Sequence, residues 1–435
     1  MTDLASRLLS RLAPWRSARS WCVGLSGGLD SSVLLHLLAE LKRRHDLPVL
    51  RALHVHHGLQ VAADAWPAHC QQLCDLLGIE LQVCHVQVEE GASLEQSARN
   101  ARYSAFIEVL GAGDVLLTGQ HRDDQAETLL LRLLRGAGVR GLSAMPVQRR
   151  LGAGELVRPL LDISRDQLLA YATEQGLQWI EDPSNRDARF SRNYLRHQVL
   201  PALTARWPQA HRSLARTAAH LTEARELLDE LAQQDLACAR EGDEFPWLEL
   251  PSLDLRSLAR LSAARQRNAL QCWLAPYTRL PDSDHWAGWD DLRDARVDAS
   301  PVWRLTDGEL HRAGERIYWL SGNWLVPLSE PAPWTELLEP LPLPDNGSVS
   351  LSGSSLSQTL RIGYRRGGET LELAGRGRRD LKRLLNERHV PSFVRGRLPL
   401  LFAGERLVAV ANLPGLADGD LQLTWRAPTS EQGLR

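Results

Sequence analysis

Residues 23–35 read VGLSGGLDSSVLL, and the order of residue types in that stretch sets the fold of the first half of the chain. A short apolar run, WCVGL, gives way to two glycines and then to the helical pattern SSVLLHLLAELKRR. Gly27 and Gly28 let the backbone turn tightly and bring N–H groups onto an anion with no side chain in the way. Ser26, Ser31 and Ser32 add hydroxyl donors, and the helix that follows offers the positive end of its dipole. Strand, glycine turn and helix in this order suit phosphate, yet the lysine of the common G-x-x-x-x-G-K-S/T loop is missing. Asp30 is the odd member. A carboxylate beside phosphate repels it unless a divalent cation lies between them; the plainer reading of Asp30 is a helix N-cap.

Outward from this loop, strand-like and helix-like runs alternate from Trp21 to about Arg135: VLRALHVHH, AHCQQLCDLLG, ELQVCHVQV, LEQSARNARYSAFIEVL, DVLLTG and QAETLLLRLLRG. The alternation predicts an α/β domain, a Rossmann-like, doubly wound parallel sheet with helices on both faces. Ligands in such sheets sit at the carboxyl ends of the strands. The glycine turn, HVHHG after VLRAL and TGQHRDD after DVLL all fall at such ends, so three segments converge on one crevice. Of His54, His56 and His57, only some can face it, because a strand alternates its faces.

Beyond the sheet, Leu214, Leu221 and Leu228, with Leu227 and Leu231, predict a long helix over His211–Arg240, and a second helical pattern runs from Leu255 to Leu274. The scattered Trp247, Trp273, Trp286, Trp289, Trp303, Trp319 and Trp324 read as packing residues. Five prolines in EPAPWTELLEPLPLPDNG mark a linker, and the basic helix RRDLKRLLNERH belongs to a small terminal domain. The expected organisation is a catalytic domain at 1–208, a mainly helical domain at 209–330, a linker at 331–347 and a small basic α+β domain at 348–435.

The 435 residues are 43% apolar and 24% charged, ordinary for a chain with buried cores. Six cysteines without C-x-x-C spacing argue against a disulfide framework or a cysteine-rich zinc site and suit a reducing, cytoplasmic setting. No run of 18 apolar residues is present, so no membrane is expected as a partner. The opening LASRLLSRLAPWRSARS reads as a leading helix, with a transit peptide as the alternative. A net charge of −2 hides a local excess of seven positive charges between Arg361 and Arg397, and a polyanion is the partner this suggests.

SGGLDSS resembles the SGGxDS loop of the N-type ATP pyrophosphatases, which cleave ATP between the α and β phosphates. The other motifs narrow the resemblance. HVHHGL (54–59), TGQHRDDQAETLLLRLLRGAGVRGLSAM (118–145), EDPSNRDARFSRNYLRHQVLP (181–201) and the C-terminal YRRGGE with RRDLKRLLNERHVPSFVRGRLPLL are together similar to the tRNA(Ile)-lysidine synthase family over nearly the whole chain.

The resemblance implies an adenine nucleotide alpha hydrolase-like fold and a ligase. That ligase uses ATP and Mg2+ to join free L-lysine to C2 of the wobble cytidine in the isoleucine tRNA with a CAU anticodon, through an adenylated cytidine. It implies ATP binding by Ser26, Gly27, Gly28, Leu29, Asp30, Ser31 and His54, with Arg135 either a phosphate clamp or a helix-end cation. It points to Asp30, His121, Asp124 and Glu127 as catalytic and to Asp30 and Asp123 as metal ligands. Asp123 or Asp124 can share a helix face with Glu127. Arg99 and Arg102 read as residues of a helix facing the crevice or as a solvated face. Arg192, Asn193 and Arg196 would contact tRNA or order a loop, and Arg365, Arg366, Arg378, Arg379, Lys382, Arg383, Arg395 and Arg397 would meet the tRNA backbone. Gln120 departs from the family, which has the first of two histidines there, and glutamine cannot act as a base at neutral pH. A homodimer stays open, as do two other readings of the scaffold: a tRNA thiolase, or a non-catalytic RNA-binding protein.

Overall fold

The apolar runs of the first half become strands whose side chains alternate between two cores. After helix α1 (Thr2–Arg11) come β1 (Ser20–Gly24), α2 (Leu29–Lys42), β2 (Val49–His56), α3 (Trp66–Leu77), β3 (Glu80–His85), α4 (Leu94–Val109), β4 (Asp114–Leu117) and α5 (Arg122–Leu133). Short helix α6 (Val139–Leu142), hairpin β5 (Gln148–Leu151) and β6 (Gly154–Val157), and α7 (Arg165–Glu174) follow. These elements belong to a computed structural model that describes residues 2–58, 61–88, 94–279, 283–296, 299–353, 360–373 and 377–429.

The six strands lie in the order β3-β2-β1-β4-β6-β5, parallel except for the β5–β6 hairpin. Trp21 and Val23, Val115 and Leu117, and Val157 join one core with Leu8, Leu34 and Leu168 of α1, α2 and α7. Their neighbours Cys22, Leu116 and Leu156 join the opposite core with Phe106 of α4. A sheet covered on both faces needs such nearly continuous apolar strands. The strand order reverses between β1 and β4, so a crevice opens at their carboxyl ends, where α2 and α5 begin.

The remaining helices of this part are α8 (Ser191–Tyr194), a π turn at Leu195–Val199, α9 (Leu200–Arg206) and α10 (Ala210–Ala239). Contacts divide the chain into two units, Met1–Leu227 and Leu228–Arg435, and the division falls within α10. The contact division thus falls later along the chain than the expected edge at residue 208. Leu214, Ala218 and Leu221 of α10 pack on Leu129 and Ala144, which ties the first turns of this helix to the catalytic unit.

In the second unit, the middle region combines helices with a four-stranded antiparallel sheet, ordered Ser252–Asp254, Arg316–Leu320, Gly308–Ala313, Val302–Leu305. Strand Arg316–Leu320 serves two cores: Ile317 and Trp319 face one with Trp273, Trp289 and Trp303, while Tyr318 and Leu320 face the other with Trp324, Leu384 and Trp425. The tryptophans thus pack, as the sequence suggests. Residues 331–347 are not a free linker. Trp334, Leu341 and Leu343 are buried in the C-terminal core, and Leu341–Pro342 pairs with Ser348–Ser352 at a sheet edge, where proline is tolerated. Prolines there exclude helix without excluding burial.

Arg397, expected on the tRNA surface, is a structural residue. Its guanidinium is buried and donates to Asn346 Oδ1 (3.2 Å) and to four carbonyls, of Trp324 (3.3 Å), Val326 (2.8 Å), Asn323 (2.9 Å) and Asp345 (2.6 Å). Planar guanidinium, with five donors, is the side chain that can satisfy converging carbonyls at once. Arg397→Ala should lower the unfolding free energy by about 3 kcal/mol, since several buried acceptors lose their donor. Arg383→Ala, on the surface, should stay within about 0.5 kcal/mol. Denaturant unfolding followed by tryptophan fluorescence checks the pair.

Candidate active site

The glycine turn is locked by its own serines. Ser26 N–H donates to Ser31 Oγ (3.2 Å), Gly28 N–H to Ser26 Oγ (3.3 Å), and Ser31 Oγ–H to the Gly28 carbonyl (3.1 Å). Gly27 sits at φ +82°, and a Cβ there would meet Ile180 Cδ1 at 3.0 Å and Cys70 Sγ at 3.2 Å. Gly28 caps α2. Leu29 turns its side chain into the core, so only its backbone is available to a nucleotide.

The loop after β4 approaches this turn closely. A Cβ on Gly119 would lie 3.0 Å from the backbone of Asp30 and Ser31, so only glycine lets the two helix N-termini meet. His121 caps α5: its Nδ1 accepts the Asp123 N–H (3.2 Å), and Asp124 Oδ2 accepts the His121 N–H (3.0 Å). In the neutral ring the proton is then on Nε2, 3.5 Å from both Asp30 Oδ2 and Asp124 Oδ2. Burial pulls the His121 pKa down. The hydrogen bond to Asp30 and the charges of Asp124, Asp30 and Asp123 outweigh it and hold the pKa above the usual value. His121 is only 1% exposed, so it reaches the crevice through Asp30 and Asp124.

Asp124 and Glu127 meet two arginines from α8 and the π turn. Arg192 donates to Glu127 Oε2 (2.7 Å) and Asp124 Oδ1 (3.1 Å); Arg196 donates to Glu127 Oε1 (2.6 Å) and Oε2 (3.0 Å) and to Asp124 Oδ1 (3.2 Å). Burial lowers both guanidinium pKa values, and the two carboxylates more than restore them. Asn193 donates to the Ser184 and Asp187 carbonyls (2.9 and 3.0 Å), and His197 Nε2 bonds the Asn185 carbonyl (2.8 Å). Of the two roles expected for Arg192, Asn193 and Arg196, the hydrogen bonds carry loop ordering: these side chains hold the acids and the 182–187 loop.

The crevice, about 380 Å3, is lined by Ser26, Gly28, Asp30, Ser31 and His54, and by Asp124 and Arg192. Arg99 and Arg102 also line it, as does Gln120, whose Oε1 accepts from Thr118 Oγ1 (2.5 Å). Burial, above all, lowers the His54 and His57 pKa values, His57 to about 4 with help from Arg102, so both rings are neutral at pH 7. His54 Nε2 and His57 Nδ1 are buried without a hydrogen-bond partner. Arg102 has no carboxylate partner among the described residues, and burial holds its pKa below the usual value. Sequence reasoning missed Trp66, Tyr103 and Asp182 in the lining. Tyr103 follows Arg99 by one helical turn, and that spacing was the available signal; Arg149, whose guanidinium carbon lies 4.8 Å from the Tyr103 ring centroid, comes from β5.

Asp30 Oδ1 is buried with no partner, which leaves an oxygen for a cation. Asp123 does not join it: its Oδ2 accepts the Arg165 N–H (2.7 Å) and its Oδ1 lies 3.5 Å from His211 Nδ1. Among the described residues, no group of three or more His, Cys, Asp or Glu side chains is arranged to hold a metal. Arg135 lies just past the far end of α5, about 18 Å along the helix from the end that builds the crevice, so it is no clamp here. In the second unit, Arg378, Arg379, Lys382 and Arg383 are exposed. Arg366 pairs with Glu330, Arg365 lies 3.9 Å from Glu369, and Arg395 donates to Asn386 and to the Val390 carbonyl (2.7 Å).

Comparison with known families matches residues 1–203 to a PP-loop domain, 253–318 to a TilS substrate binding domain and 360–433 to a TilS substrate C-terminal domain. The tRNA(Ile)-lysidine synthase of Pseudomonas fluorescens is 63% identical over 436 residues, covering 100% of this chain and 99% of its own. That of Pseudomonas aeruginosa is 60% identical over 437 residues, covering 99% of each. That of Coxiella burnetii is 40% identical over 421 residues, covering 93% and 91%.

The raised pKa of His121 has a definite sign. Its protonated form stabilises the fold fully below the ordinary histidine pKa, and that contribution is lost as pH rises through the raised value. The melting temperature of wild type should therefore exceed that of His121→Gln most at pH 6, with the gap narrowing towards pH 9. A gap that stays constant would mean that His121 does not titrate with folding.

Proposed function

The chain belongs to the tRNA(Ile)-lysidine synthase family, and we propose that it joins free L-lysine to C2 of the wobble cytidine in the isoleucine tRNA whose anticodon reads CAU. It is an ATP-using enzyme of tRNA modification. The observation that carries the finer reading is the meeting, in one crevice, of a lysine-free phosphate loop with two carboxylates, Asp30 and Asp124, at facing helix N-termini.

In the first step the cytidine C2 oxygen attacks the α phosphate of ATP and pyrophosphate leaves. In this reading the backbone of Gly27, Gly28 and Leu29, the hydroxyls of Ser26 and Ser31, and the α2 N-terminus would receive the pyrophosphate charge. Arg102, which also lines the crevice and has no carboxylate partner among the described residues, would add a cation. His54 and His57, neutral, offer ring nitrogens to the nucleotide. Asp30 Oδ1 fits a Mg2+ ion, which when bound would neutralise phosphate charge.

In the second step the lysine ε-amine attacks C2 and AMP leaves. The amine must first lose a proton, because an ammonium has no lone pair. Asp124 lines the crevice and is the group we assign to the ammonium; Glu127, behind it, is held by the same arginines and keeps Asp124 in place. Arg192 and Arg196 are positioning residues in this scheme. The product base pairs with A, which turns a tRNA reading AUG as methionine into one reading AUA as isoleucine.

The exposed Arg378, Arg379, Lys382 and Arg383 suit the tRNA backbone. No helix among the described residues is long and apolar enough to cross a membrane, and a cytoplasmic setting, where tRNA is modified, fits the uncrosslinked cysteines. The thiolase reading is disfavoured by those same cysteines. Burial pushes the Cys22 and Cys70 thiols up to about 12 and Cys74 to about 11, so none of the three is a sulfur-carrying thiolate at neutral pH.

Asp30→Ala should abolish tRNA-dependent pyrophosphate release, by about 1000-fold or more, while tRNA binding in a filter assay persists. Pyrophosphate release at the wild-type rate would remove Asp30 from the reaction.

A further inference from the structure

With Arg192 and Arg196 committed to acids, the catalytic unit needs another surface to hold RNA near the crevice. A second groove, about 640 Å3, lies against the outer side of α5 and along α10, lined by Arg122, Arg212, Arg216, Arg7, Arg11 and Asp162. Arg7 and Arg11 share Asp162 Oδ2, at 2.8 and 3.1 Å. Among the described residues the other three arginines have no ion-pair partner, and Arg122 Nε is buried with no hydrogen-bond partner.

The sequence order along α10 gives this groove a direction. Arg212 and Arg216 occupy one stripe of the helix with Ala215 between them; Ala219, which leaves room, and then Glu223 and Glu226 follow on the same stripe. The basic end is the one beside the active crevice, because His211 Nδ1 lies 3.5 Å from Asp123 Oδ1 at the start of α5. Arg122 stands one residue from His121 and two from Asp124, so α5 separates the groove from the crevice by its own width, about 10 Å. Unpaired guanidinium groups that already stand together at a groove repel one another and are relieved by an anion that can take several of them.

We propose that this groove binds the phosphodiester backbone of the RNA substrate, with Arg122, Arg212 and Arg216 each meeting a phosphate, so that the strand beside the wobble position is held while its base enters the crevice. The inference rests on the reading that tRNA is the substrate, and it adds a specific surface of the catalytic unit to it. Charge chooses the occupant: three free cations at the end nearest the chemistry suit a polyanion, and the acidic far end limits how far along α10 that polyanion runs.

The test measures binding of the CAU-anticodon isoleucine tRNA as a function of salt, for wild type and for the variant R122Q/R212Q/R216Q, together with ATP binding and lysine incorporation. The variant should weaken tRNA binding by at least about tenfold and flatten the slope of log affinity against log salt by about two, with ATP affinity unchanged. The charge-keeping R122K/R212K/R216K variant should restore most of the slope. Wild-type affinity and slope in the glutamine variant would overturn the proposal. If that variant also loses ATP binding through misfolding, the single exposed substitutions R212Q and R216Q decide: each should reduce the slope by about one, and an unchanged slope in both overturns it. Wild type that binds this tRNA but incorporates no lysine overturns the functional reading instead, a result distinct from active enzyme with an indifferent groove.

Discussion

A carboxylate as buried as Glu127, 2% exposed, has to be met by a cation, and much of the catalytic unit follows from that requirement. The cations are Arg192 and Arg196, 65 and 69 residues further along the chain. Bringing them in places α8 and the π turn against α5, and Asn193 and His197 on the same run then fix the 182–187 loop by hydrogen bonds to its carbonyls. Two carboxylates and two guanidinium groups balance in charge, so the cluster can be half-dehydrated. Removing one partner would strand the others, at a cost of about 3–5 kcal/mol for a fully buried pair. In the proposed scheme an incoming ammonium would meet Asp124 already oriented, the preorganisation that catalysis by charge depends on.

The second constraint is backbone approach. Where the sheet reverses its strand order, α2 and α5 begin close together, and Gly119 is the position where a side chain would meet the backbone of Asp30 and Ser31, while a side chain on Gly27 would meet Ile180 and Cys70. Two positive helix ends facing one crevice favour anions there. Asp30, Asp124 and a bound polyphosphate compete for that field, and His121 beneath them takes up part of the negative charge. In the proposed reading, helix ends, serines, Arg102 and a cation on Asp30 would share the work that the lysine of other phosphate loops does alone.

Much of this was legible in the residues, for identifiable reasons. Strand and helix periodicity, with glycines at a strand end, is a local signal, and it located the sheet, the phosphate loop, and Asp30, Ser26 and Asp124 in the crevice. Partner choice is not local. Spacing alone made Asp123 and Asp124 equal companions for Glu127, and only tertiary packing turned Asp123 towards Arg165 and His211. A charged residue reads as surface unless its acceptors are known, so Arg397, whose acceptors come from distant segments, looked like an RNA contact. The proline-rich stretch at 331–347 read as a linker because proline speaks about backbone, whereas Trp334, Leu341 and Leu343 decide burial. Gln120 is a different matter: it lines the crevice as a hydrogen-bonding residue, its carbonyl oxygen accepting from Thr118.

The central claim is that one crevice activates a tRNA base with ATP and passes it to lysine. Its most direct measurement is incorporation of labelled lysine into an unmodified isoleucine tRNA transcript with a CAU anticodon, in the presence of ATP and Mg2+, beside a methionine tRNA carrying the same anticodon. Label in the isoleucine tRNA alone, with one AMP and one pyrophosphate released for each lysine, is the expected result. ATP cleaved and tRNA bound with no lysine in the RNA would contradict the account and require a different nucleophile.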